Sequence, residues 1–539
     1  MKRINNSNLA IIILLLSFFV SCKNKTEENK NIENIADNVA YSEEELYRPN
    51  FHFTPKKAWM NDPNGMFYYN GYYHLYFQHY PDGNVWGPMH WGHAISTDMV
   101  TWKEQPIAIY PDEKGYIFSG SAVVDVLNTS GFGNRGEQPI IAMFTYHDMG
   151  GEKADKVKYQ SQAIAYSLDE GQTFTKYSEN PVIKNPGMKD FRDPKIVWDS
   201  IHEKWVMVLA AGQKIMFYSS SNLKDWKLES DFGNGIGAHE GVWECPDFFP
   251  MKVQGTDEIK WVLFVSVGLG GPNGGSATQY FVGDFDGKQF KIDPSFEKDL
   301  INSEHKSMWI DYGRDNYAGV TWANIPDTDG RKLFLGWMSN WNYAQEVPTE
   351  TWRSAMTIAR EVELQKIDAS YRLLFQPVRE LTSYRSTKYK KESILISGET
   401  KLIDSKAIDL SSTEINFKIS DLKESGFTFK LTNKQGDTLS FGYNNSDKNF
   451  FVDRRKSGKT GFSEKFAKRV SVANRTSLNT IVSGTIILDK TSIELFFDNG
   501  ETVMTEIFFP NSPYDKLSIE PKDQEFTLGN IEIHKLNFN

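Results

Sequence analysis

The sequence predicts an all-β protein, a five-bladed β-propeller followed by a C-terminal β-sandwich. Three observations carry this. From about residue 47 to 365 the chain is a run of short apolar and aromatic segments broken by turns, with almost no helical periodicity. Within that stretch a polar turn closing on an aromatic recurs: Ser96–Trp102, Ser167–Phe174, Ser221–Trp226 and Asp284–Phe290. The closing aromatics are roughly 50–70 residues apart, the size of a four-stranded blade, so the stretch holds about five blades. Third, composition shifts near residue 366, and from about 390 to 539 alternating strand sequence returns, as in Thr413–Ile419 and Thr485–Leu488, which reads as a β-sandwich. Residues 366–389 are expected to form a linker, with a short helix around Pro377–Leu381.

The chain has 539 residues, room for two domains or three. Aromatic residues make up 14 %, among them 24 Tyr and 14 Trp. That supports a large core and suits a sugar-binding cleft, although strand-rich sequence alone has the same bias. The formal net charge of −10 argues against a nucleic-acid partner and favours a neutral substrate. The two cysteines, Cys22 and Cys245, make no disulfide framework. No Cys/His cluster has metal-ligand spacing, so His74, His79, His90 and His93 are expected to pack and hydrogen-bond. Gly268–Gly275 contains a proline and no helix follows it, so it reads as a surface loop and not a phosphate cradle. Neither a metal nor a cofactor is expected. Oligomeric state is not encoded in any of these features.

The N-terminus carries Lys2 and Arg3, then an apolar run from Leu9 to Val20 too short for a membrane span. It ends in Phe19-Val20-Ser21-Cys22, which resembles a bacterial lipoprotein signal with Phe19 in place of the usual leucine. That resemblance implies cleavage before Cys22, lipidation of Cys22, and a protein held to the cell envelope by this anchor; an ordinary cleaved signal peptide is the alternative. Residues 23–46, rich in Lys, Glu and Asn, are expected to be a flexible tether.

The most informative string is Trp59-Met60-Asn61-Asp62-Pro63-Asn64-Gly65. Pro63 fixes its own backbone and restricts Asp62 to extended conformations, while Gly65 allows a sharp turn. A carboxylate held rigidly at a strand beside amides and an aromatic suits a nucleophile facing a sugar; an Asn-Asp-Pro turn capping a hairpin looks the same. Two more acids sit in short aromatic-flanked strings closed by proline: Asp193 in Phe191-Arg192-Asp193-Pro194 and Glu244 in Trp243-Glu244-Cys245-Pro246. Three acids suffice for retaining glycoside hydrolysis. In a propeller, inner strands distant in sequence converge on one axial pocket.

With these motifs, Gln78 and Phe118-Ser119-Gly120-Ser121 in the same order, the chain from about Tyr47 onward resembles glycoside hydrolase family 32, the β-fructofuranosidases. The family's fold is likewise a five-bladed propeller with a sandwich. The resemblance implies Asp62 as nucleophile, Glu244 as acid/base and Asp193 as transition-state stabiliser, with Arg192 beside Asp193 able to keep it ionised and to reach substrate. Asn61, Gln78, Trp86, Phe118 and Ser119 match fructosyl-binding positions. Trp341 is a candidate for the rim, core packing being the other reading for it and for Trp337. Ala58 and the His52–Lys57 lead-in are similar to exo-levanases and exo-inulinases. The implied activity is release of fructose from levan or inulin, with sucrose also cleaved. An invertase, a fructosyltransferase and a non-catalytic fructan-binding lipoprotein are the alternatives; the intact acid trio speaks against the last. The sandwich is expected to pack against the propeller.

Overall fold

The computed structural model describes residues 46–539 apart from 304, 405–407, 421, 423, 478 and 539. Cys22 and, except for Leu46, the expected tether lie outside the described residues.

Five antiparallel sheets follow one another along the chain. Their first strands are Ala58–Tyr69 in blade 1, Tyr116–Val124 in blade 2, Phe191–Asp199 in blade 3, Trp243–Lys252 in blade 4 and Tyr317–Thr321 in blade 5. Each of these strands packs against the next, and the fifth packs against the first, so they form a closed inner ring. Closure is covalently remote but well hydrogen-bonded. Trp352–Arg353 pairs in parallel with Ala58–Trp59, and Ala323 exchanges backbone hydrogen bonds with Met66 and Tyr68 at 2.9 and 3.0 Å. Trp59, Trp91, Trp243, Trp322 and Trp337 are fully buried and fill the spaces between blades.

The recurring polar turns join the third strand of a blade to its fourth. In blade 1 the Asp98 carboxylate accepts the backbone N–H groups of Val100 and Thr101, and in blade 2 Asp169 accepts that of Thr173. Asn222 in blade 3 accepts from Lys224 and Asp225, and Asp286 in blade 4 from Lys288 and Gln289. The repeat is thus a side-chain-capped turn, used four times.

Blade 5 makes the same connection differently, and here the expected boundary is corrected. Arg360–Ile367 and Ser370–Pro377 are its last two strands, joined by Asp368 and Ala369, both left-handed at φ 50° and 68°. A two-residue turn of this kind needs no capping side chain or aromatic, so the repeat signal stops one blade early. The propeller runs to Pro377 and not to 365. The expected linker 366–389 shrinks to a short link containing the 3₁₀ turn Arg379–Tyr384, and sandwich strand begins at Arg385 rather than 390. The expected helix at Pro377–Leu381 is that 3₁₀ turn, begun two residues later. A helix that the sequence pattern does not predict spans Pro294–Asn302, where Asp293 caps the N-terminus by accepting from Ser295 N at 2.8 Å.

The remaining chain forms two six-stranded antiparallel sheets packed face to face around Phe417, Phe429, Phe441, Leu495 and Ile519. The sandwich meets the propeller through paired buried charges. Arg360 bonds Glu494 at 2.6 Å and Asp311 at 2.9 Å, and Arg454 bonds Asp315 at 2.5 Å and Glu506 at 2.8 Å. His52, ahead of blade 1, sits between Asp489 and Glu494 of the sandwich at 2.8 Å from each. Burial pushes its imidazole down, but hydrogen bonds and charge from both acids outweigh that and raise it to about 9.

Candidate active site

One backbone device recurs on all five inner strands. On each, two residues oppose one on the neighbouring strand: Asn61–Asp62, Phe118–Ser119, Asp193–Pro194, Cys245–Pro246 and Ala318–Gly319, and blade 1 has a second such break at Gly65–Met66. A bulge of this kind breaks the alternation of side chains and re-aims them. Asp193, Cys245 and Ala318 have φ of 62°, 44° and 53°, a left-handed conformation that costs energy in non-glycine residues. The prolines after Asp62, Asp193 and Cys245 have no N–H, so the broken ladder leaves no donor unpaired there. At Gly120 an added Cβ would lie 2.0 Å from Met143 O, so only glycine fits behind the blade 2 bulge.

The bulges bring the three acids together around Cys245. Asp62 Oδ2 accepts from Ser119 Oγ at 2.6 Å and from the Cys245 thiol at 3.3 Å. Asp193 Oδ2 accepts from Cys245 N at 3.0 Å. The other Asp62 oxygen, Oδ1, is buried with no protein partner. Burial raises the Asp62 carboxyl above its ordinary value, with hydrogen bonds from Ser119 and Asn61 opposing. Burial likewise pushes Asp193 up to about 7, further aided by the charges of Glu244 and Asp62. The expected pairing of Arg192 with Asp193 is therefore secondary. Arg192 Nε stands 3.9 Å from Asp193, whereas Nη1 binds Asp190 at 2.6 Å and Nη2 binds Glu244 Oε1 at 2.9 Å. Desolvation outweighs the guanidinium at Asp193, and the arginine chiefly anchors Glu244.

Glu244 is the least buried of the trio, with its side chain 23 % exposed. Its second oxygen, Oε2, accepts from the hydroxyl of Tyr317 on blade 5. Burial and the Glu244 charge hold that phenol well above its usual range, so it remains a donor. Cys245 is buried, and burial together with the surrounding acids raises its thiol well above the ordinary value; it donates and is no nucleophile.

The walls are aromatic. Phe118 stacks on His147 with centroids 4.0 Å apart and meets Trp86 edge-on at 6.0 Å. Trp341, half-buried, stacks on Trp59 at 5.9 Å and leans on Trp337 at 4.8 Å. Trp337 is fully buried and belongs to the core. Asn61 accepts from Trp59 Nε1 at 2.7 Å, and Gln78 donates to Asn64 at 2.7 Å. His74 and His93 bond each other at 3.1 Å within a stack that includes Tyr76, and burial lowers His74 to about 4. Tyr317 and His147 went unseen in the sequence. Asp148 beside His147 and Asp315 ahead of Tyr317 have no proline after them, and the Ala318-Gly319 bulge beside Tyr317 has none to mark it.

Below the acids the funnel is shut. Asp247 accepts the Thr321 N–H, and Lys195 Nζ binds Asp247 Oδ1 at 3.2 Å and Thr321 O at 2.7 Å. The arrangement is a pocket closed at one end. It presents one buried carboxylate oxygen, one buried acid and one half-exposed acid held from both sides.

Residues 52–377 match the model of the glycosyl hydrolases family 32 N-terminal domain, and residues 380–535 match the family's C-terminal model. The chain belongs to glycosyl hydrolases family 32. It is 46 % identical over 503 residues to a levanase of Bacillus subtilis, covering 93 % of this chain and 72 % of the relative. It is 39 % identical over 505 residues to an extracellular exo-inulinase of Aspergillus niger, covering 88 % and 91 %. Among solved structures, an exo-inulinase from Aspergillus awamori superposes with a TM-score of 0.84 at 35 % identity, covering 92 % of this chain and 99 % of that one. A fructofuranosidase from Schwanniomyces occidentalis complexed with fructose gives 0.82 at 34 %, covering 93 % and 100 %. This member of family 32 shares with them a propeller and sandwich in one order.

Proposed function

We propose that this family 32 protein is an exo-acting, retaining glycoside hydrolase that releases fructose from β-fructans and also cleaves sucrose. The observation that carries the reading is the contrast between two carboxylates. Asp62 presents the buried, unpartnered Oδ1, suited to attack, whereas Glu244 is half-exposed and held by Arg192 and Tyr317, suited to exchange protons with the leaving group and with water.

In the first step Glu244 gives its proton to the glycosidic oxygen while Asp62 Oδ1 bonds to the anomeric carbon, and the C–O bond to the leaving group breaks. Ser119 and the Cys245 thiol hold Oδ2, fixing the face that Oδ1 presents. In the second step Glu244 takes a proton from water, whose oxygen displaces Asp62. Two inversions return the starting configuration. Asp193, oriented by the Cys245 N–H, binds fructosyl hydroxyls. Trp86 and Phe118 flank the ring, and Asn61, Gln78 and Arg192 complete the polar lining. The levanase and exo-inulinase names of the relatives support polymer as substrate, and the closed end beneath Asp62 supports attack on chain termini.

The Phe19–Cys22 string supports a further part of this reading, that the mature protein begins at a lipidated Cys22 and sits on the cell envelope, where a polymer is met.

The test is to trap the covalent intermediate. Glu244→Ala incubated with an activated aryl fructoside releases the aryl group in a fast burst and retains a fructosyl adduct on the Asp62 peptide, seen by mass spectrometry. An adduct on another residue, or a burst that persists when Asp62→Asn is added to the variant, overturns the assignment.

A further inference from the structure

The inner strands of blades 3 and 4 use their first halves for the acids and their second halves for something else. Asp193 lies in the catalytic pocket, but Lys195, Ile196 and Trp198 on the same strand do not; Glu244 does, but Asp247, Phe249 and Met251 do not. The ends of the inner strands of blades 2 to 5 line a cavity of about 810 Å³. The Lys195–Asp247–Thr321 bridge separates it from the funnel. A cavity of this volume lies within the range of small-molecule sites.

Its walls are largely apolar, with Val124, Trp198, Phe249 and Ile325 prominent, and Val126 and Leu127 exposed at the mouth. Its charges are mostly spoken for. Arg331 binds Asp329, Glu361 and Glu380 at 2.5–2.7 Å, and Lys195 is bound to Asp247. Asp125 accepts from the backbone of Thr129 and Ser130 at 2.9 and 2.8 Å. Lys252 pairs with Asp257 at 2.8 Å in solvent, and Asp327 and Glu363 are exposed.

Lys332, at the start of blade 5's second strand, is the exception. Its ammonium lies 4.8 Å from the centre of the Phe249 ring and has no carboxylate partner among the described residues. Asp247, the acid whose charge reaches it, is already committed to Lys195. Lys332 is half-buried, and this burial lowers it to about 8 with no paired anion to offset the effect.

We propose that this cavity is a second ligand site, which takes an organic anion with an apolar or aromatic body. The anionic group pairs with the Lys332 ammonium, and the body lies against Trp198, Val124 and Ile325. The acids of the funnel play no part, so occupancy is independent of fructose.

Isothermal titration with 2-naphthoate tests this. The wild-type protein binds one equivalent, and saturating fructose leaves the dissociation constant unchanged. Lys332→Met weakens binding by about tenfold or more, the scale of one hydrogen bond to a charged group. The neutral analogue 2-naphthalenemethanol binds the wild type more weakly by a similar factor, a comparison that needs no variant. Unchanged sucrose hydrolysis by Lys332→Met shows that the variant is folded. No saturable binding by the wild type, equal affinity of Lys332→Met, equal affinity for the neutral analogue, or displacement by fructose each overturns the proposal.

Discussion

The Tyr317 hydroxyl donates to Glu244 Oε2, joining blade 5 to the acid carried by blade 4. With Arg192 Nη2 on Oε1 at 2.9 Å, this leaves the half-exposed carboxyl little freedom to rotate. Orientation of a proton donor is worth as much as its presence, because transfer needs a short, aligned path. Tyr317→Phe keeps the ring and removes one hydrogen bond to a charged group. It should lower kcat on sucrose by roughly 10- to 100-fold. The loss should be smaller for an aryl fructoside, whose leaving group needs little protonation. Circular dichroism identical to wild type confirms the fold. Equal loss on both substrates removes the positioning role.

His52 makes stability depend on pH. Its folded value of about 9 exceeds the ordinary 6.5, so the protonated ring is favoured in the folded protein. The contribution is fully present below about pH 6.5 and is lost as pH rises to about 9; at roughly 1.4 kcal/mol per unit it amounts to about 3 kcal/mol at most. The melting temperature should fall over that window. His52→Gln should start lower at pH 6 and fall less between pH 6.5 and 9. A variant whose melting temperature tracks wild type in parallel across the window contradicts the assignment.

The proposed membrane attachment rests on Cys22. An acyl chain contributes about 0.8 kcal/mol per buried methylene, and no helix among the described residues is long and apolar enough to cross a membrane. Cys22→Ser should therefore appear in the soluble fraction or accumulate unprocessed. Normal maturation combined with full membrane fractionation excludes lipidation at this residue.

Much of the site was legible because chemistry and backbone share the same strings. Asp62-Pro63, Asp193-Pro194 and Cys245-Pro246 mark acids or their support, and the same strings lie at the bulges that aim them. Tyr317 was illegible because blade 5 makes its bulge with Ala318-Gly319, which carries neither acid nor proline. Four blades show capped turns, and the fifth lost its last strand, Ser370–Pro377, to the expected linker because Asp368-Ala369 turns without a cap. The role of Arg192 was misjudged for a different reason. Adjacency in sequence suggested Asp193 as its partner, but the bulge turns neighbouring side chains apart, and the guanidinium reaches across to Glu244. Lys332, next to Arg331 at a strand start, carried no signal; its isolation is visible only once every neighbouring charge has been paired.

The pocket is closed beneath Asp62 by Lys195, Asp247 and Thr321, and only a chain end fits into it. A time course of levan and inulin digestion, followed by chromatography from the first few per cent of conversion, tests it directly. Fructose should be the sole early product, growing linearly while the polymer shortens from its ends. An early ladder of intermediate oligosaccharides, appearing before fructose accumulates, would contradict it.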